Sequence, residues 1–118
     1  MQTVNKSANT IEEGFKFLKE AAIQDYNEFI ADNKSMQQEF AENINLEVGG
    51  QKYFKITVGA YNRGRSVFAF IVKEDDDKFK KGDILKPASW KAPAKNKARG
   101  NVLSGNYPIN WTGPLYLS

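Results

Sequence analysis

The 118-residue chain is 41% hydrophobic and 26% charged, the composition of an ordinary globular protein. It contains neither histidine nor cysteine, which excludes a Ser-His-Asp or Cys-His catalytic group, a thiolate metal site and a disulfide framework. No apolar run approaches the roughly 20 residues of a membrane helix, and the N-terminus lacks the apolar core of a signal peptide. We therefore expect a single domain over residues 1–118, located in the cytoplasm and without contact to a membrane.

The charges are divided unevenly along the chain. Residues 1–48 contain four Lys and nine Asp or Glu, a net charge of −5, whereas residues 49–118 have a net charge of +8. No acidic side chain follows Asp83. This asymmetry indicates that the second half meets an anion. The alternative is that the acidic half is only solvated, and that the two halves or neighbouring subunits attract each other.

The first third of the chain has a helical pattern. Thr10 and Glu13 have the spacing of a capping box, and the apolar residues behind them recur at three and four residues. These signals predict a long helix over about 11–31 and a shorter one over about 36–43, the latter capped at Ser35. Residues 1–9 are predicted to be frayed. The apolar stripe of the first helix comprises Ile11, Phe15, Leu18, Ala22, Tyr26 and Phe29.

The hydrophobic period then changes to two, which is typical of strands. The nearly continuous apolar run of the third strand indicates a central strand that is buried on both faces. Gly49-Gly50 is read as a two-residue hairpin turn, and the short turns predict an antiparallel meander. The strands are predicted around Leu46 and Val48, over Tyr53–Val58, over Ser66–Val72 and at Ile84-Leu85.

These elements predict an α+β fold. Residues 1–44 form its helical segment, and residues 45–118 form the sheet, a long basic loop and an aromatic tail. Val102-Leu103 is a candidate short strand. The tail beyond it is too aromatic to be disordered, so we expect it to pack on the sheet or on a partner subunit.

The acidic run at residues 74–77 is the candidate metal site. Consecutive carboxylates bind divalent cations, but the alternating spacing of a calcium loop is missing and lysines flank the run. The sequence therefore favours a solvated hairpin loop. No residue spacing supports a catalytic carboxylate pair, and we expect neither catalytic residues, nor a metal, nor a cofactor.

A basic, aromatic set of residues carries the clearest functional signal. Guanidinium and ammonium groups bind phosphates, an aromatic ring stacks on a base, and glycine lets a ligand approach the backbone closely. This combination indicates a nucleotide or nucleic-acid ligand, although each lysine is also consistent with simple solvation. Arg99 is the strongest single candidate, and Trp90 is equally consistent with a core residue. The candidate ligand-binding residues are Tyr61, Arg65, Ser66, Lys86, Trp90, Lys91, Arg99, Gly100 and Asn101.

Several segments resemble a widespread family of small phage proteins. The family pattern is an R-S-V strand, then G-D-[IV]-L-K-x-A-S-W-K-A-P-A-K, then A-R-G-N and a G-P-x-Y-L-like tail. The resemblance covers roughly residues 53–118 and leaves out the N-terminal helices. The matching segments are Arg65–Phe70, Gly82–Lys95, Ala98–Asn101 and Gly113–Leu117.

The resemblance implies an immune-evasion sponge of the anti-CBASS type. Such a protein is not an enzyme; it sequesters cyclic dinucleotide signals in the host cytoplasm, as an oligomer (dimer or tetramer) with pockets between subunits. This sequence departs from the shorter forms of the pattern by the insertion-like segment Glu74–Lys81, and ligand choice would differ if that hairpin overhangs the pocket. The residues that the resemblance would place near the pocket are Arg65, Ser66, Trp90, Lys91, Arg99 and Asn101.

Three alternatives remain open from the sequence. The same basic residues suit a single-stranded nucleic-acid-binding phage protein. The amphipathic helices over 11–43 suit a protein-binding inhibitor module. A carboxylate-dependent nuclease or phosphodiesterase is the least favoured.

Overall fold

The two helices precede the four-stranded sheet along the chain, as the change of hydrophobic period predicts. The computed structural model describes residues 1–59 and 64–115 and has the predicted α+β fold. The predicted meander is confirmed, because β2, β3, β4 and β5 pair antiparallel in that order. A second antiparallel sheet, in the order β1-β6-β7, was not predicted. The elements are β1 (Gln2–Val4), α1 (Ile11–Phe29), α2 (Lys34–Glu42), β2 (Asn45–Glu47), β3 (Tyr53–Val58), β4 (Ser66–Val72), β5 (Ile84–Leu85), β6 (Tyr107–Asn110) and β7 (Gly113–Pro114).

Helix α1 begins at the predicted cap. The backbone N–H of Glu13 donates to the Thr10 hydroxyl at 3.1 Å, while the Glu13 carboxylate accepts from the N–H of Asn9 at 3.0 Å. The reciprocal bond of the capping box is thus shifted by one residue. The helix ends where the N–H of Ile30 donates to the carbonyl of Tyr26 at 2.8 Å.

Helix α2 starts earlier than predicted, and the assignment of Ser35 as its cap was wrong. Asn33 is the N-cap, with its side-chain oxygen accepting from the N–H of Met36 at 3.0 Å. Asparagine and serine are about equally good caps, so the pattern could not separate the two positions. The Gln37 side chain closes the break between the helices by donating to the carbonyl of Ile30 at 2.6 Å.

Strand β4 is the buried central strand that its apolar run predicts. Ala69 and Ile71 belong to the large core, whereas Phe70 and Val72 belong to a smaller core on the other side of the sheet. We call these two sides the inner and the outer face. The register shifts from Ile56↔Ala69 to Thr57↔Val67, which leaves Phe68 as a β-bulge that also packs into the inner core.

The large core contains side chains of α1, of the β1-β6-β7 sheet and of the inner face of the meander. From the predicted α1 stripe, Ile11, Leu18 and Ala22 are buried, whereas Phe29 at the helix end is 64% exposed. Gly14 allows the close packing of α1 on the chain after β5, because a Cβ built on it would lie 2.4 Å from the carbonyl oxygen of Val102. This packing explains why a helix-weakening glycine occupies the first turns of α1.

The prediction that residues 1–9 are frayed was wrong for the first four. Strand β1 pairs with β6 in the register Gln2↔Ile109 to Val4↔Tyr107. Its partner lies more than a hundred residues away, so a local pattern of three residues carried no signal for it. The β6 strand belongs to the tail, for which packing on the protein was expected, and Tyr107 and Ile109 are buried.

One predicted turn and one candidate strand also differ from the structure. Strands β2 and β3 pair as Glu47↔Lys55, so their connection runs over residues 48–52 and is longer than a two-residue turn at Gly49-Gly50. The Lys73 ammonium holds this connection by donating to the carbonyls of Val48, at 3.1 Å, and Gly50. Val102-Leu103 lies in a turn rather than in a strand.

Candidate functional site

The long basic loop forms a hairpin of its own beyond β5. Pro87 and Pro93 face each other across an antiparallel bridge, and the N–H groups of Ala88 and Ser89 donate to the carbonyl of Ala92. The returning arm runs beside β5, where the N–H of Arg99 donates to the carbonyl of Ile84 at 2.8 Å. The symmetric prolines therefore place Trp90 at the hairpin tip.

Trp90 is not a core residue, which resolves the alternative left open by the sequence. Its side chain is 44% exposed. The Lys55 ammonium lies 4.2 Å and the Arg65 guanidinium carbon 5.8 Å from the centre of its ring. Cation–π contacts of this kind stabilise an exposed ring by about 0.5–1 kcal/mol. Strand β3 and the residue that precedes β4 thus contribute two cations that hold the hairpin tip over the outer face.

An aromatic floor and further cations continue this arrangement. The rings of Tyr53 and Phe70 meet edge to face with centroids 6.0 Å apart. They line an open cavity of about 320 Å³ together with Lys55 and Lys91. The ammonium of Lys95 lies 6.0 Å from the Tyr53 ring centre. We call the set Tyr53, Lys55, Arg65, Phe70, Trp90 and Lys91 the outer basic surface.

One carboxylate is built into this surface. Glu47 forms an ion pair with Arg65 and accepts a hydrogen bond from the Thr57 hydroxyl at 3.0 Å. Thr57 is 2% exposed, so its bond fixes Glu47 from below. Glu47 also lies opposite Lys55 in the β2–β3 register. This acid orients the arginine and offsets part of the positive charge beside Trp90.

Arg99, the strongest candidate from the sequence, is not part of the outer basic surface, and neither are Gly100 and Asn101. Its guanidinium donates to the carbonyl of Leu115 at 2.8 Å and so binds the tail. A Cβ on Gly100, which has φ 149°, would lie 2.5 Å from Cβ of Tyr107. The closely approaching partner of this glycine is therefore an internal side chain.

Asn101 makes four hydrogen bonds within the protein. Its amide group donates to the Lys81 carbonyl and the Asp83 carboxylate, both at 2.9 Å. Its oxygen accepts from the N–H groups of Leu103 at 2.8 Å and Ser104 at 3.2 Å. These bonds close the turn that follows the basic hairpin, so the side chain has a structural task in this conformation.

The remaining candidates are distributed over the molecule. Ser66 lines a separate cavity of about 580 Å³ between the helices and the ends of β3 and β4. Lys86 lies at the base of the basic hairpin, where its carbonyl accepts from the N–H of Ala94 at 2.7 Å. Tyr61 lies outside the described residues. The structure therefore brings together Arg65, Trp90 and Lys91, and it separates them from the Arg99–Asn101 group.

The acidic run at residues 74–77 accepts hydrogen bonds from backbone N–H groups of its own loop. Hydrogen bonds from the backbone N–H groups of Phe79 and Lys78 lower the pKa of Asp76, and Asp75 accepts from the N–H of Lys81 at 2.7 Å. Phe79 is 4% exposed and packs in the outer core. Among the described residues, no group of three or more acidic side chains is arranged to hold a metal ion.

Three residues of the outer basic surface were missed from the sequence: Tyr53, Lys55 and Phe70. The available signal was the strand period of two, which places Tyr53, Lys55 and Thr57 on one face of β3. Lys55 interrupts an otherwise apolar and β-branched strand, and its register opposite Phe70 follows only once the meander is aligned. The basic and aromatic composition of the loop points to the loop alone and carries no signal for the strand beneath it.

The chain belongs to the family of unknown function DUF7717, whose model matches residues 1–117. No match was found among the curated proteins or among the solved structures. In the part of the chain that the structure describes, no helix combines the length and apolar character needed to cross a membrane.

Proposed function

We propose that this protein is a non-enzymatic phage immune-evasion protein that binds and sequesters cyclic dinucleotides in the host cell, and that the outer basic surface is its ligand site. One observation carries the proposal: the exposed Trp90 ring lies beside two cations, with the Lys55 ammonium 4.2 Å from its centre. A base stacked on an aromatic ring contributes roughly 1–3 kcal/mol, and neighbouring ammonium and guanidinium groups bind phosphate.

The dimensions of the surface fit a compact ligand. The cavity of about 320 Å³ beside Trp90 is lined by Lys55 and Lys91 and floored by Tyr53 and Phe70. Ligand sites typically occupy about 300–1,000 Å³, so one protomer offers room for part of a dinucleotide. A site completed by a second copy of the chain is consistent with the oligomer that we expect.

Calorimetric titration with a panel of cyclic dinucleotides tests the proposal. We expect saturable binding of at least one member and recovery of the intact ligand after incubation with Mg²⁺ or Mn²⁺ and denaturation of the protein. Absence of binding across the panel at saturating concentrations contradicts the proposal. Loss of the intact ligand would instead indicate an enzyme.

A single-stranded nucleic-acid binder is the second candidate, favoured by the openness of the surface and the additional Lys95 near Tyr53. Binding of an oligonucleotide should weaken with salt by a log–log slope of roughly 0.7 per phosphate contacted. A compact ligand with only two phosphates should give a small slope. Titrations of a labelled oligonucleotide and of the cyclic dinucleotide at several salt concentrations distinguish the two functions.

A further inference from the structure

A larger, mainly apolar cavity lies between the helices and the ends of β3 and β4. Its volume is about 580 Å³, within the range of roughly 300–1,000 Å³ that small-molecule sites occupy. Separate elements form its wall, since α1, α2, the two strands and the β6–β7 turn all contribute. The side chains that matter most are Tyr26, Met36, Phe40, Val58, Phe68 and Trp111.

The aromatic part of this wall is held in place by contacts among its own rings. Tyr26 and Phe40 stack with centroids 4.4 Å apart and planes 10° apart. Trp111 meets both rings edge on, at 5.2 Å from Tyr26 and 6.4 Å from Phe40. The backbone of Trp111 is fixed in turn, because its N–H donates to the buried carboxylate of Asp25 at 2.8 Å. The wall is therefore formed before any ligand arrives.

The lining determines the chemistry of the occupant. A well-ordered water needs two to four polar partners, and apolar cavities without them stay dry and take up apolar molecules. The hydroxyls of Ser66 and Thr112 provide polar contacts among mostly apolar side chains. Glu39 is the charged side chain among its described lining residues, which include neither lysine nor arginine. The lining therefore repels an anionic group instead of neutralising it.

We propose that this cavity binds a small, uncharged, aromatic molecule, independently of the outer basic surface. The occupant packs its ring against Trp111, Tyr26 and Phe40 and exchanges hydrogen bonds with the hydroxyls of Ser66 or Thr112. The proposed site stands whether or not the protein binds cyclic dinucleotides, because the described residues that line this cavity differ from those that line the cavity of the outer basic surface.

The two tryptophans allow a selective experiment, since one lies at each site. In the Trp90→Phe variant, Trp111 is the one remaining tryptophan, which can be excited selectively over the tyrosines. The probe is N-phenyl-1-naphthylamine, an uncharged aromatic dye whose emission rises in apolar surroundings. We expect saturable binding of one dye per protomer with energy transfer from Trp111. Absence of saturable binding, or binding without energy transfer, overturns the proposal.

Substitutions then locate the dye. Thr112→Phe fills the cavity from its exposed rim and should weaken binding about tenfold or more, because the buried apolar area of the dye is lost. Thr3→Phe, at an exposed position on β1, is the matched control and should leave binding unchanged. Equal effects of the two substitutions overturn the proposal.

Two further measurements keep the test decisive. If circular dichroism shows that the Thr112→Phe variant does not fold, Met36→Lys replaces it. Met36 lies in the cavity wall and is 43% exposed, and its substitution should weaken dye binding similarly. The sulfonated analogue 1-anilinonaphthalene-8-sulfonate should bind more weakly than the uncharged dye. Tighter binding of the sulfonate overturns the assignment of an uncharged occupant.

Discussion

The ammonium of Lys55 lies 4.2 Å from the centre of the Trp90 ring. This contact joins the middle of strand β3 to the tip of a hairpin that starts after β5, 35 positions further along the chain. It keeps a large aromatic ring at the surface, where the ring would otherwise be expected to fold against apolar side chains. A ring that is exposed and at the same time fixed by a cation is suited to stacking on a base while the cation contacts a phosphate.

Trp90→Ala should weaken cyclic dinucleotide binding by 1–3 kcal/mol, about 5- to 150-fold in Kd, because the stacking partner is removed. Trp90→Phe retains a ring and should lose less. Calorimetry measures both, and unfolding curves should show that stability changes little, since the residue is exposed at a hairpin tip. Trp111→Phe is the control at the other cavity. A Trp90→Ala variant with the affinity of the wild type rejects the outer basic surface as the site.

Glu47→Gln should strengthen the binding of an anionic ligand. The substitution removes the negative charge that pairs with Arg65 and lies opposite Lys55, and it keeps an acceptor for the Thr57 hydroxyl. We expect a gain of a few-fold, about 1 kcal/mol or less, that decreases with added salt. Glu20→Gln, an equal charge change at an exposed position of α1, is the control. Weaker binding by the Glu47 variant would mean that Arg65 contacts the ligand only when Glu47 orients it.

The elements that follow from local patterns were predictable, and those that depend on distant partners were not. The Thr10 cap, the stripe of α1 and the apolar run of β4 are local signals, and the meander followed from them. Strand β1 exists because of its pairing with β6, and no pattern in three residues reveals a partner so far away.

The same distinction applies to the site. The aromatic and basic composition of the loop over residues 82–101 pointed to Trp90 and Lys91, whereas the strand residue Lys55 needed the sheet register. The Arg99–Asn101 segment has the composition of a ligand loop. Its side chains nevertheless make internal bonds, which composition alone cannot distinguish from ligand contacts.

Asn101→Ala should destabilise the protein by about 1–3 kcal/mol. Four internal hydrogen bonds are lost, and partly buried polar groups lose the hydrogen-bond partner that Asn101 provides. Urea unfolding measures the change. Asn96→Ala is the matched control, since Asn96 is exposed and its side chain bonds only the adjacent N–H of Lys97 among the contacts described. Ligand affinity of the folded Asn101 variant should equal that of the wild type. An unchanged urea midpoint together with loss of ligand binding would show that Asn101 belongs to the ligand site.

The buried Asp25 should make stability depend on pH below about 4. Burial raises the pKa of this carboxyl, but the hydrogen bonds from the Met1 α-amino group and the Trp111 N–H, with the charge of the α-amino group, outweigh it and lower the pKa overall. The α-amino nitrogen lies 2.5 Å from one carboxylate oxygen, and the Trp111 nitrogen 2.8 Å from the other. A carboxyl whose pKa is lowered in the folded state contributes stability that is complete above its unfolded pKa of about 3.9.

That contribution is lost as the pH falls from about 4 through the lower folded-state pKa, because the carboxyl then takes up a proton on unfolding. Asp25→Asn should therefore reduce the free energy of unfolding at pH 7, and the difference from the wild type should shrink in acid. Urea midpoints at several pH values measure this, with the exposed Asp32→Asn as control. A difference that stays constant or grows towards low pH would show that the charge of Asp25 does not clamp the β6–β7 turn to α1.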